Sequence, residues 1–233
     1  MSPLPAPPAI WMQTLRGRAM DLDAPTPDMV DLFGEVAEAL ARVARYGGHT
    51  PSGVYSVAQH CVLGADAIIV ETGDPTLAAA FLLHDAHEAY IGDITTPVSQ
   101  ALRARTGRLL ADRLPVDRKL AARLAQHGES AAAEALASLK RDLDAAIHTA
   151  AGMPWPLPPS LVQAVREWDI RMLNAERPQI LAPSPHPWDG EIERVPPARL
   201  RQRIRLWPWP EAADAYRVRL TTLFPHLCPP RAA

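Results

Sequence analysis

The chain has 233 residues, enough for one globular domain and short for two. Lys plus Arg number 24 and Asp plus Glu 26, a formal charge of −2, which argues against a protein built to grip a nucleic-acid backbone. Hydrophobic residues at 48% can fill a core, and no apolar run approaches the roughly 20 residues that cross a bilayer.

The proline-rich start, Met1 to Met20, lacks an apolar signal core and reads as a loose tail. Cys61 and Cys228 are too few for a disulfide scaffold. The expected setting is therefore the reducing cytoplasm, with neither a nucleic-acid polymer nor a membrane as partner.

A proline inside a helix loses a hydrogen bond and clashes with the preceding turn, so the 25 prolines mark where helices cannot run. A short hairpin over Ile10–Leu22, turning at Arg16-Gly17, comes first. Proline-free windows follow at 28–50, 52–74, 76–96, 98–114, 116–153, 160–177, 198–207 and 211–224, mostly rich in Ala, Leu, Glu and Arg. Gly47-Gly48 is expected to end the first helix, Asp74 and Ser160 to cap later ones, and Gly128 to split 116–153 in two. The stretch 178–197 reads as an irregular connection. The expected fold is all-α, with an N-terminal extension over 1–27, one helical bundle over 28–224 and a C-terminal tail over 225–233.

Polar residues interrupt apolar helical faces at three places. Around Leu77–Tyr90, Leu77, Phe81, His84 and Glu88 fall on one stripe, with Asp85 one step round. On Val54–Val70, His60 lies between Val57 and Cys61. On Leu161–Glu176, Asp169 interrupts the face of Val162, Val165, Met172 and Leu173. Burying such groups unpaired costs several kcal/mol each, so they need partners or a cation. Each has an ordinary structural alternative: a lone His hydrogen-bonded in a core, or Asp169 paired with Arg166 or Arg171. Their conjunction favours a site. Two imidazoles and two carboxylates suit one divalent ion such as Mn, Fe, Co, Ni, Mg or Zn.

The segments YSVAQHCVLGA, LLHDAHEAYIGDITTPV and VREWDIRMLNAER resemble the HD-domain metal-dependent phosphohydrolases. The resemblance runs from about Leu15 to Arg177 and is nearest to bacterial 5′-deoxynucleotidases and phage-encoded deoxynucleoside triphosphohydrolases. It implies a single HD-domain helical bundle with His60, His84, Asp85 and Asp169 as metal ligands. It also implies that Glu88 positions or activates the attacking water and that Asp93 assists proton transfer or the leaving group. Arg45 matches a phosphate-binding arginine. Tyr46 stands where the deoxynucleotidases have a tryptophan that crowds a ribose 2′-hydroxyl, and His87 replaces a small residue. His49, four after Arg45, is a further candidate for phosphate contact. Relatives associate, so a homo-oligomer, a dimer or larger, is expected.

The expected activity is removal of phosphate from (deoxy)nucleoside 5′-monophosphates by metal-activated water. The alternatives are release of triphosphate from a (deoxy)nucleoside triphosphate and a non-catalytic nucleotide sensor. An HD-type oxygenase needs a second metal with more histidines, a reading that His49 and His87 keep open. No phosphate-binding P-loop or Rossmann glycine pattern is present. Cys61 reads as a core residue, because neighbours on a helix point about 100° apart and His60 cannot activate it.

Overall fold

The computed structural model describes residues 9–113 and 117–227. The expected loose start over residues 1–8, Cys228 and the end of the C-terminal tail lie outside them. The fold is all-α apart from one small antiparallel hairpin, β1 (Trp11–Gln13) with β2 (Ala19–Asp21), in which Met12 faces Met20. Met20 is fully buried, and Thr14 donates to Glu35 at 2.6 Å, so the hairpin is docked onto the helices that follow.

Helix α1 (Ala37–Arg42) is preceded by a wider π-helical turn over Leu32–Val36, capped by Asp31 accepting from the Gly34 amide at 2.7 Å. It ends at Arg42, earlier than the Gly47-Gly48 stop expected from sequence. The two glycines instead belong to a separate left-handed turn shared with Tyr46. Between them, Val43–Arg45 pairs in extended form with Tyr55–Val57: the Arg45 amide donates to Tyr55 O at 2.9 Å and the Val57 amide to Val43 O at 3.0 Å. This short pairing fixes Arg45 beside the start of the next helix.

Helix α2 (Val57–Thr72) starts at Ser56, whose Oγ accepts from the Gln59 amide, and stops at Gly73 in the left-handed conformation. Helix α3 (Pro75–Leu83) begins as expected at Asp74, which accepts from the Thr76 and Leu77 amides, with Pro75 in the first turn. All of Leu77–Leu83 is buried. The helix expected to continue to Tyr90 breaks over His84–His87 and resumes as α4 (Glu88–Ile91). Its bonds tighten to the three-residue pattern, from Ala86 to Leu83 O and from Glu88 to Asp85 O, and this turn presents His84 and Asp85 together.

Helices α5 (Thr96–Asp112) and α6 (Arg118–Ala150) pack on each other. Gly128 does not split α6. A Cβ there would lie 3.0 Å from the Cα of Gly107, and one on Gly107 would lie 2.5 Å from Ala125 O, so the two glycines permit close helix contact. Helix α7 (Pro159–Ile180) opens on Pro158-Pro159 with no side-chain cap, so Ser160 does not serve as one. It runs through Pro178 into the stretch expected to be irregular, which also holds the short α8 (Gly190–Arg194).

Residues 198–207 form no helix, contrary to expectation. Side chains and carbonyls of α2 and α7 take their backbone groups: Ala198 donates to Arg171 O, Arg199 to Glu71, Ile204 to Gln179 and Trp207 to Gln59. Once these partners are supplied from outside, helical bonds lose their advantage. Helix α9 (Trp209–Leu223) closes the bundle against α1, α2 and α3, and the Tyr216 hydroxyl donates to Leu82 O at 2.8 Å. No helix among the described residues is long and apolar enough to cross a membrane.

Candidate metal centre

Three elements converge at one point of the core. Helix α2 supplies His60, the turn after α3 supplies His84 and Asp85, and α7 supplies Asp169. Ligand atoms of His60, His84 and Asp169 all lie within 4.8 Å of one another. Asp169 Oδ1 stands 3.3 Å from His60 Nε2 and 3.7 Å from His84 Nε2. On the other side, Asp85 Oδ2 stands 3.1 Å from His84 Nε2 and 3.9 Å from His60 Nε2. Sequence reading thus named four residues that the structure brings together.

Each imidazole is oriented by its other nitrogen. His84 Nδ1 lies 2.7 Å from Phe81 O and His60 Nδ1 lies 2.6 Å from Glu176 Oε1. Both acceptors require a proton on Nδ1, which leaves the Nε2 lone pair free. Both Nε2 atoms and Asp169 Oδ1 are buried without any hydrogen-bond partner. Orphaned donors of mixed nitrogen and oxygen type, aimed at a shared point, are what a divalent cation satisfies. The residues therefore fit the expected ion.

The charges respond to one another across this cluster. Burial alone works to raise the Asp85 and Asp169 carboxyls, yet both are held well below the usual carboxylate range, Asp85 mainly by the His84 imidazole and Asp169 by the His60 and His84 imidazoles that face it. Burial works to lower His84, but Asp85 and Asp169 raise it well above an ordinary imidazole. Arg45 reaches in from its extended segment, with NH1 3.1 Å from Asp85, NH2 3.7 Å from Asp169 and Nε 3.7 Å from Glu176. It thus faces the ligands directly. Neither Arg166 nor Arg171 pairs with Asp169: Arg166 lies near Glu191, and Arg171 bonds Glu71 at 2.6 Å.

Glu88 and Asp93 border the cluster. Burial, with Asp85 and Asp93 beside it, pushes the Glu88 carboxyl up to about 9. Asp93 is raised as well, first by burial, and its Oδ2 accepts from the Tyr46 amide at 3.1 Å. Tyr46 adopts the left-handed conformation, φ 58°, which is costly for a residue with a Cβ and marks a position held by its surroundings. Two bonds hold it, the amide to Asp93 and the hydroxyl to Glu176 at 2.5 Å. His49 is exposed and makes no ligand contact; it lines a cleft next to Tyr46. Cys61 is fully buried and its thiol is pushed up to about 11 by burial, which suits a core residue rather than a nucleophile.

Three residues of the site went unnoticed in the sequence. Glu176 is completely buried and receives bonds from His60, Tyr55 (2.8 Å) and Tyr46. Its signal was present: it follows Asp169 by seven residues, two turns along the same helical face. Tyr55, and Asp144 opposite His87 (2.9 Å), carry no comparable mark.

The Asp169 side chain is 43% exposed, so the cluster opens to solvent on that side. Beyond Tyr46 lies a cleft of about 1110 Å³, lined among others by His49, Pro97, Arg177, Pro185 and Trp188. Arg177 there is already bound to Glu193 through both terminal guanidinium nitrogens, at 2.8 and 3.2 Å.

No protein-family model matches the chain. Over 215 residues, 90% of this chain and 93% of the relative, it is 29% identical to an uncharacterized protein of Rhodobacter capsulatus. Over 92 residues, 40% of this chain and 48% of the relative, it is 34% identical to the uncharacterized protein YfdR of Escherichia coli.

Proposed function

We propose that the chain is a divalent-cation-dependent phosphohydrolase that removes phosphate from (deoxy)nucleoside 5′-monophosphates. The observation that carries this reading is the meeting of partnerless His60, His84 and Asp169 ligand atoms with Asp85 and the Arg45 guanidinium in one buried cluster that opens to solvent at Asp169. His60, His84, Asp85 and Asp169 hold the cation. When bound, it supplies Lewis acidity toward a phosphoryl oxygen and lowers the pKa of a coordinated water.

The chain's own groups do the rest. Arg45 offers a planar fork of donors to phosphate, and its longer contact to Asp169 is the one most readily exchanged for a phosphate oxygen. Glu88, buried beside Asp85 and Asp93, takes the proton of the attacking water once a bound cation offsets those two carboxylates and leaves it ionised. Asp93 stands on the Tyr46 side, where the leaving oxygen departs toward the cleft. The aromatic and proline-lined cleft suits a nucleoside.

A single phosphate is favoured over three. Arg177 in the cleft is neutralised by Glu193, which leaves little fixed positive charge for a triphosphate chain. The test is product analysis by mass after incubating the Mn-, Co- or Mg-loaded protein with panels of nucleoside mono- and triphosphates. Nucleoside plus orthophosphate from monophosphates is the expected result. Nucleoside plus triphosphate selects the triphosphohydrolase, and no turnover with metal bound selects the sensor. Solvent oxygen-18 should appear in phosphate; its appearance in the nucleoside hydroxyl would overturn attack at phosphorus.

A further inference from the structure

Directly beside the first cluster lies a second group of ligand atoms. Asp85, His87 and Glu88 each contribute one, all within 4.8 Å of one another. His87 and Glu88 are each only 5% exposed. His87 Nε2 and Glu88 Oε2 are buried with no hydrogen-bond partner. The His87 ring is set from behind by α6, where Asp144 Oδ1 lies 2.9 Å from Nδ1 and holds a proton there, so the Nε2 lone pair points away from Asp144. Glu176 does the same for His60 in the first cluster. Two imidazoles are thus backed by carboxylates, each leaving a bare Nε2 in the core.

The charge balance points the same way. Asp85, Glu88, Asp93, Asp144, Asp169 and Glu176 surround the two groups, while the fixed cations facing them are Arg45 and, toward Asp93, Lys140. With the ligands deprotonated, as cation binding requires, six carboxylates less two cations leave four formal negative charges in a largely buried space; in the metal-free protein, protons on Glu88 and His84 offset part of it. One divalent ion leaves half of that uncompensated, and a phosphate adds more; two divalent ions balance it.

We propose that Asp85, His87 and Glu88 form a second divalent-cation site that shares Asp85 with the first. One imidazole and two carboxylates favour a hard or borderline ion, Mn²⁺, Mg²⁺ or Fe²⁺, over a thiolate-seeking one. The inference rests on the first cluster being a cation site and deepens the proposed reaction. With the second site filled, Glu88 serves as a ligand and Asp93 is left as the free carboxylate for proton transfer.

The test is a Mn²⁺ titration of metal-free protein by calorimetry, with bound metal counted by elemental analysis. The parent chain should bind two equivalents and His87→Ala one. Low-temperature electron paramagnetic resonance of the loaded parent should show exchange-coupled Mn²⁺ pairs, replaced in His87→Ala by the isolated-ion spectrum. If His87→Ala loses its helical circular dichroism, Asp144→Asn carries the comparison, with the second equivalent weakened about 10–100-fold. One equivalent in the parent at millimolar Mn²⁺, or two in folded His87→Ala, would overturn the site. Because no substrate enters the count, two bound ions without nucleotide turnover refute the proposed reaction and leave the site standing. Turnover with a single ion does the reverse.

Discussion

The α2–α3–α7 core and the α5–α6 pair use buried space in opposite ways. In the core, apolar helices close around His60, Glu176, His87 and Glu88, and each of these polar groups faces another ionisable side chain or the cluster of ligand atoms that could hold a cation. In the α5–α6 pair the buried residues of α5 reduce to Gly107, and the N-terminal two-thirds of α6 buries only Gly128. Val98, Leu102, Leu109 and Leu120 stay exposed. Only the far end of α6, at Leu143, Ala146, Ile147 and His148, enters the core. The core gains from apolar burial at about 25 cal/mol per Å² and can carry the cost of polar groups in it, whereas the pair rests on close backbone contact. The candidate site thus sits where apolar burial is greatest.

The largest break in that contrast should come from Asp85→Ala. It removes an acceptor of both Arg45 and His84, and metal binding and turnover should both fall to background while circular dichroism stays helical. Full activity in this variant would remove the metal site from the argument.

Next comes Glu176→Gln. His60, Tyr55, Tyr46 and Arg45 all lose a charged partner, and breaking a buried pair of this kind costs about 3–5 kcal/mol. Metal affinity should drop about 10–100-fold, read by calorimetry beside the melting temperature. An unchanged affinity would show that Glu176 is only a packing residue.

Gly64→Ala tests the packing behind the ligands. A Cβ there would lie 2.1 Å from Cε1 of Phe81, whose ring stacks on His84 at 4.4 Å between centroids. Overpacking should cost about 1–3 kcal/mol in denaturant unfolding and should weaken metal binding as His84 is displaced.

Glu88→Gln separates stability from chemistry. Burial raises the folded carboxyl from an ordinary 4.5 to about 9, so the folded metal-free protein binds the extra proton. That contribution is complete below about 4.5 and is lost as pH rises toward and through 9. The metal-free Gln variant should therefore gain in melting temperature over the parent increasingly from pH 5 to pH 9, by about 2–4 °C per kcal/mol, while losing turnover. A constant difference across that range would refute the assignment.

The smallest effect belongs to the helical pair. Gly107→Ala should separate α5 from α6 locally, raising amide exchange along both helices while exchange at the metal cluster stays unchanged. Faster exchange at both regions would show that the pair supports the core.

Local chemistry made much of this protein readable from its residues. Asp74 and Pro75 open α3 and Arg16-Gly17 turns the hairpin, because caps and turns are decided by a few neighbouring atoms. His60, His84, Asp85 and Asp169 stood out because ionisable groups on apolar faces violate the helical pattern. Other features depend on partners far along the chain, and only tertiary packing chose them. Gly128 looked like a breaker until Gly107 was found against it, and 198–207 looked helical until Glu71, Gln59 and Gln179 were found holding its backbone. Tyr55 and Asp144 acquire their roles from Glu176 and His87, 121 and 57 residues away. The sequence determined which groups could hold a cation. The packing of α7 and α6 decided which ring nitrogen of His60 and of His87 is left bare, because that choice is set by Glu176 and Asp144 behind the rings, whereas His84 takes its orientation locally from Phe81 O.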